Sequence, residues 1–333
     1  MSGFELPIIA AGGTAKFAVM MAVVVGGLLA GYGLRKSGLL RPDASRPITF
    51  WLMVAVYPAI GVLSVWALPL KSGLVWVMVQ PVLLDGIIFL FGLGVGRLLG
   101  LDFATRGLFA NAAAHGNYGF TLGGFLCLRL FGEEGLAVAT VYILLWTVVV
   151  FSFYFPLARI FADPTRRMSL RAMLGGIFDL RCLTLLGILV GLALNAVGEP
   201  RPAFVTRTHL LDVLVAGTTG LMFMVVGLQL FLGDMLRYWR LHASLVGIKL
   251  LVCPAVSWGL IVAGRRLPLE IDALHEKVMM LESCMPMALF VVVMANLYGL
   301  RPRLASLLLF ANTAIFLLVG LPGLMLVFGW LEG

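Results

Sequence analysis

Long apolar stretches recur along the whole 333-residue chain, and they restrict its possible folds more than any other feature. A helix needs about 20 apolar residues to cross a bilayer, and ten stretches reach that length. Only 12% of the residues are charged, against about 25% in a typical soluble domain. The sequence therefore predicts an all-α polytopic membrane protein with ten transmembrane helices. The predicted spans are 14–34, 48–68, 74–97, 105–131, 135–157, 182–198, 209–233, 242–263, 275–298 and 303–330.

Lys and Arg residues are distributed unevenly between the loops. Most of the 24 lie in the loops after spans 1, 3, 5, 7 and 9, among them the basic loop 158–181. Because cytoplasmic loops are enriched in Lys and Arg, these loops are predicted to be cytoplasmic. Both termini are then expected outside.

Two of the predicted spans contain residues that interrupt a helix. Span 4 reads HGNYGFTLGG over 115–124, and span 9 reads ESCMP over 282–286. Lipid cannot satisfy the backbone groups that such a break frees, so those groups must face a cavity, an ion or a substrate. The sequence therefore predicts a solute site where two broken helices cross near the middle of the membrane.

Weak similarities between the two halves suggest an internal repeat. Leu130-Phe131-Gly132 ends span 4, and Leu297-Tyr298-Gly299 ends span 9, 167 positions later. We predict two five-helix repeats, 1–157 and 182–333, on either side of the loop 158–181. Since five crossings reverse the direction of the chain, the second repeat is inverted, as in many secondary transporters.

Polar and small residues at the two interruptions are candidates for substrate binding. The amide of Asn117 can donate to a carboxylate, and N–H groups freed at helix ends add donors. Ser283 offers a hydroxyl group in the second interruption. The alternative for Asn117 is a structural role as the cap of a half-helix. The candidate substrate-binding residues are Asn117, Gly119, Gly124, Ser283 and Pro286.

Four ionisable residues inside predicted spans are candidates for ion or proton coupling, because such groups are costly in a membrane and usually functional. At the offset of 167, His115 corresponds to Glu282, which predicts a His–Glu proton relay across the crossover. Asp85 and Lys249, in spans 3 and 8, are predicted to form a buried ion pair. The alternative is a structural, hydrogen-bonded residue for Glu282 and for His115, and a purely structural ion pair for Asp85 and Lys249.

Motifs for catalysis and metal binding are incomplete in this sequence. His275-Glu276 lacks the second histidine of a zinc protease motif, since Met279 stands at that position. Neither a Walker A sequence nor GxSxG occurs, so an ATPase or a serine hydrolase is not expected. The four cysteines have no CxxC spacing. We therefore expect no enzymatic activity, no metal, no cofactor and no nucleic-acid partner.

Four groups of stretches carry a resemblance to a known family: 31–40 with Tyr57-Pro58-Ala59, 116–120, 248–251 with Pro254, and 285–288 with 295–299. In this order and spacing they resemble motifs of the auxin efflux carriers, which are distantly similar to bile acid–sodium symporters. The resemblance covers nearly the whole chain. One departure concerns the crossover of span 4, where the family usually has proline and this chain has Gly124.

The resemblance implies an architecture and a function. Spans 1, 2, 6 and 7 would form a scaffold domain, and spans 3–5 and 8–10 a transport domain that moves by an elevator-type mechanism. The family implies export of a small organic anion, such as a carboxylate, through a bacterial inner membrane. The membrane potential would drive export, with a proton as a candidate coupling ion, and the scaffold domain would pair in a homodimer. The alternatives are a sodium-coupled organic-anion importer and a membrane sensor that does not transport.

Overall fold

Helices form nearly all the regular structure of the computed structural model, which describes residues 11–230 and 235–332. The first ten residues, the last residue and the predicted end of span 7 at 233 lie outside these ranges. The α-helices are α1 (Ala11–Lys36), α2 (Ser45–Trp51), α3 (Tyr57–Val65), α4 (Leu74–Leu98), α5 (Phe103–Ala114), α6 (Leu122–Val149), α7 (Phe155–Ala162), α8 (Leu170–Ile177), α9 (Leu183–Ala196), α10 (Ala203–Arg207), α11 (Leu210–Leu228), α12 (Trp239–Gly247), α13 (Cys253–Gly264), α14 (Ala273–Ser283), α15 (Leu289–Tyr298), α16 (Pro302–Ile315) and α17 (Leu321–Glu332).

Seven helical stretches among the described residues are long and apolar enough to cross a membrane. The longest, Leu122–Ala162, contains Gly132, whose φ of 74° and ψ of −165° break the helix between predicted spans 4 and 5. The helices α9 and α15 are apolar but shorter. The prediction of an all-α polytopic membrane protein is confirmed in this coarse form, whereas ten crossings and an inverted repeat stay predictions.

Glycine residues allow two pairs of helices to pack closely. The helix α1 packs against α11, and α3 packs against α9. A Cβ atom on Gly31 would collide with the carbonyl oxygen of Met224, and one on Gly187 would collide with that of Pro58. Such close contact between backbones is typical of helix packing in membranes. These four helices belong to the spans assigned to the scaffold domain by resemblance.

Glycine residues with positive φ lie near helix ends at similar places in the two halves of the chain. Gly38 and Gly198 follow α1 and α9 with φ of 77° and 75°, and Gly132 and Gly299 have φ of 74° and 71°. The left-handed conformation favours glycine because it has no Cβ atom. The first pair is 160 positions apart and the second 167. These correspondences support the predicted repeat, with a spacing that varies along the chain.

A wider, π-helical turn precedes a proline in four helical stretches of the described chain. The proline is the second residue of the following α-helix in each case. Its ring would clash with the carbonyl group four residues earlier, and the wider turn relieves that clash. The π-helical turns are Leu52–Val56, Val150–Tyr154, Ile248–Val252 and Phe316–Gly320, followed by Pro58, Pro156, Pro254 and Pro322.

Candidate functional site

Both predicted interruptions are present in the structure. In span 4, α5 ends at Ala114 and α6 begins at Leu122, and in span 9, α14 ends at Ser283 and α15 begins at Leu289. The first break is therefore 115–121 and the second 284–288. Each lies deep in the fold, since nearly all of its residues are buried.

The two breaks pair with each other through a short antiparallel bridge. The N–H group of Asn117 donates to the carbonyl oxygen of Pro286 at 2.7 Å, and that of Ala288 donates to the carbonyl oxygen of His115 at 3.0 Å. Backbone groups freed by one break are therefore partly satisfied by the other, as burial away from water requires. The two interruptions meet face to face, as the sequence predicts.

Local chemistry explains why both helices break here. Pro286 has no N–H group to donate to a helix. Gly119 has φ of 68°, which takes the backbone out of the helical region. Asn312, on α16, accepts a hydrogen bond from the N–H group of Met287 at 2.6 Å and so holds the second break.

A cavity of about 90 Å³ lies beside the crossover, and we call it the crossover cavity. Asn117 lines it and is partly exposed, and its side-chain oxygen accepts a hydrogen bond from the hydroxyl of Thr121. Most of the remaining lining is apolar or aromatic. Its ring-bearing residues are Tyr57, Tyr118, Phe120, Trp146, Phe151 and Phe290.

The other four candidate substrate-binding residues lie outside the lining of this cavity. The hydroxyl of Ser283 is buried and donates to the carbonyl oxygen of Met280 at 2.7 Å. The N–H group of Gly124 donates to the carbonyl oxygen of Gly119. Pro286 accepts the hydrogen bond from Asn117 described above. The structure thus brings only Asn117 of the five to the surface of the cavity.

Asp85 is fully buried beside the first break and is held by three side chains. Its carboxylate contacts Nδ1 of His115 at 2.6 Å and accepts hydrogen bonds from the Tyr118 hydroxyl at 3.1 Å and the Trp146 indole N–H at 2.7 Å. Hydrogen bonds of this kind satisfy a charge that burial would otherwise make costly. Tyr118 and Trp146 were missed at the level of sequence, because no local motif links them to Asp85.

Lys249 does not form the predicted ion pair with Asp85. Its ammonium group donates to the carbonyl oxygen of Ala114 at 3.1 Å, at the C-terminal end of α5. That end of a helix carries partial negative charge, which stabilises a cation. The predicted pair is wrong because each of the two residues has a different, nearer partner.

Glu282 does not pair with His115, so the predicted His–Glu relay is also wrong. Its carboxylate is fully buried, where it accepts a hydrogen bond from the N–H group of Gly119 at 3.4 Å and contacts the Cys127 thiol at 3.9 Å. A Cβ atom on Gly123 would collide with this carboxylate. Glu282 therefore lies at the N-terminal end of α6, where partial positive charge favours an anion.

Comparison with known families agrees with a membrane transporter. A family model described as "Membrane transport protein" matches residues 183–322. This region is similar to the membrane transport protein family. The match confirms the resemblance to auxin efflux carriers, and it covers predicted spans 6–9 and most of span 10. No curated protein matches the chain.

A second, larger cavity of about 830 Å³ is present among the described residues, and we call it the vestibule. Its volume lies within the usual range of about 300–1,000 Å³ for small-molecule sites. Thr49, Met53 and Val293 line both the vestibule and the crossover cavity, so the two are adjacent. The polar residues that line the vestibule are Asp43, Ser45, Arg46, Thr49, Gln229, Asn296, Arg303 and Ser306.

Proposed function

We propose that this membrane transport protein is a secondary carrier that exports small organic anions, such as carboxylates, by alternating access. The observation that carries the proposal is the paired break at the crossover, where Asn117 borders a cavity between two interrupted helices. Discontinuous helices with a central site recur in secondary transporters. The Asn117 amide can donate to a carboxylate.

The positions of the vestibule and of two ion pairs support an elevator-type motion. The vestibule lies among residues next to the loops after spans 1 and 9, on the side predicted to be cytoplasmic. On the opposite side, Arg129 contacts Asp212 at 3.1 Å and Arg201 contacts Glu133 at 2.6 Å. Each pair joins the proposed transport domain to the proposed scaffold domain. We interpret this conformation as open to the cytoplasm and closed outside.

The driving force follows from the charge of the substrate. A membrane potential that is negative inside favours the exit of an anion by about 2.3 kcal/mol per charge per 100 mV. Glu282 is the candidate for additional proton coupling, because its Oε2 has no hydrogen-bond partner among the described residues. Asp85 is the weaker candidate, since three side chains already hold its carboxylate.

Flux measurements in proteoliposomes test the proposal. A panel of labelled acetate, lactate and benzoate is loaded into the vesicles, and efflux is followed while a potential is imposed with valinomycin and potassium. We expect potential-driven efflux of at least one carboxylate and a loss of about tenfold or more in Asn117→Ala, because a hydrogen bond to a charged group contributes about 1.5–3 kcal/mol. Unchanged thermal stability of that variant shows that it folds.

Two results would favour other functions. Uptake that depends on sodium and is lost in Glu282→Gln would indicate a sodium-coupled importer. Binding of a carboxylate without flux of any anion would indicate a sensor. Absence of both flux and binding across a broader set of organic anions would overturn the proposal.

A further inference from the structure

The vestibule has a guanidinium group on each of its two walls. Arg46 belongs to α2, on the side of the proposed scaffold domain, and Arg303 belongs to the first turn of α16, in the proposed transport domain. Among the described residues, Asp43 is the acidic residue in the lining. The described part of the lining thus holds two arginines and one aspartate, which gives it a net positive charge.

The start of α16 adds to this positive potential. This 14-residue helix begins at Pro302, and Pro302, Arg303 and Ser306 all line the vestibule. The N-terminal end of a helix carries partial positive charge. A concave site lined by one sign of charge concentrates ions of the opposite sign near it.

The vestibule differs in character from the crossover cavity beside it. Asp43, Arg46 and Arg303 all line the vestibule. By contrast, the lining of the crossover cavity contains no Asp, Glu, Lys or Arg among the described residues. Thr49, Met53 and Val293 form the boundary between the two. An anion in the vestibule is therefore next to the cavity that Asn117 lines.

We infer that the vestibule is a separate binding site in which Arg46 captures the carboxylate of the substrate before the substrate reaches the crossover. The inference rests on the proposed function. Guanidinium groups suit this task because they present planar, paired donors to a carboxylate. Arg46 is exposed to solvent in the vestibule and acts on capture, not on the later movement.

The electrostatic part of the inference is tested without transport. Asn296 is exposed in the vestibule, so Asn296→Cys places a reactive thiol there, while the four native cysteines are buried. We compare its rates of reaction with an anionic sulfonate reagent and a cationic trimethylammonium reagent of the same thiosulfonate type. A unit charge about 8 Å away in water changes the ratio of the two rates about sixfold.

We expect the anionic reagent to react faster at low salt, and Arg46→Ala to reduce the ratio of rates about sixfold. Arg167→Ala is the matched control, because Arg167 is an exposed arginine of the basic loop 158–181 and does not line the vestibule. The preference should disappear near 1 M salt, where the screening length is about 3 Å. Equal ratios in Arg46→Ala and Arg167→Ala would overturn the inference.

Transport kinetics test the capture step itself. In inside-out vesicles, Arg46→Ala should raise the KM for a transported carboxylate about three- to tenfold at low salt, with little change in kcat. Arg46→Glu should raise the KM further, and Arg46→Lys should resemble the wild type. If the wild type transports and all three variants have its KM, the inference is overturned. Absence of flux in the wild type would instead count against the proposed function, and the labelling ratios would still report on the vestibule.

Discussion

Replacing Gly123 with alanine tests the position assigned to the Glu282 carboxylate. Gly123 is the second residue of α6, and a Cβ atom there would collide with both carboxylate oxygens of Glu282. In a helix without such a contact, Gly→Ala is favourable by about 1 kcal/mol. Overpacking of a buried site costs about 1–3 kcal/mol. The sum predicts that Gly123→Ala lowers the free energy of unfolding by up to about 2 kcal/mol.

A second substitution should reverse the sign of this effect. Glu282→Ala removes the carboxylate that the new methyl group would meet, so Gly123→Ala in that background should be stabilising by up to about 1 kcal/mol. Gly26→Ala in α1 is the matched control, because no described atom outside the local backbone of α1 lies within 4 Å of its Cβ position. It should have the same effect in both backgrounds.

The assay is a double-mutant cycle on unfolding midpoints of the purified protein in detergent. We expect a coupling free energy between residues 123 and 282 of about 1–3 kcal/mol, as is usual for residues in contact. Effects of Gly123→Ala that are equal with and without Glu282 would refute the contact. The position of Glu282 at the start of α6 would then be wrong.

Three further predictions concern packing, the Asp85 cluster and the proposed outer closure. Gly31→Ala should lower the unfolding midpoint, because its Cβ meets a backbone carbonyl, whereas Gly33→Ala, with no atom within 4 Å, should not. Asp85→Ala should cost about 3–5 kcal/mol of stability, since it leaves three buried donors unsatisfied, measured by the same unfolding assay. Arg201→Ala should change stability by less than about 1 kcal/mol, because its pair with Glu133 is partly exposed. In the Asn296→Cys protein, Arg201→Ala should also slow thiol labelling in the vestibule, because loss of the proposed outer closure would favour the outward-open state.

The interruptions of the two helices could be predicted from sequence because their causes are local. Pro286 removes an N–H group wherever it lies in a helix. Gly116 and Gly119 stand inside an apolar stretch that would otherwise continue as helix. A local cause of this kind can be read without knowing what surrounds it, which is why both breaks were located correctly.

The partners of the buried charges could not be predicted in the same way. Asp85, His115 and Lys249 lie in stretches that are apolar on most sides, so hydropathy does not define which way each side chain points. His115 and Glu282 were paired at the offset of 167 between the two halves, but equivalent positions in a repeat need not place their side chains in contact.

The break in span 4 stabilises two buried ionisable groups for which the sequence predicted other partners. It creates a helix C-terminus at Ala114, whose carbonyl oxygen accepts a hydrogen bond from the Lys249 ammonium group at 3.1 Å. It also creates a helix N-terminus after Gly119, whose N–H group donates to the Glu282 carboxylate at 3.4 Å. A charge at the matching end of a helix gains about 0.3–1 kcal/mol when exposed and up to about 2 kcal/mol when partly buried. Because Glu282 already occupies the positive end of α6, that end is not available to an anionic substrate in this conformation. For the proposed carboxylate substrate, we therefore expect the donors to come from Asn117 and from Arg46 of the vestibule.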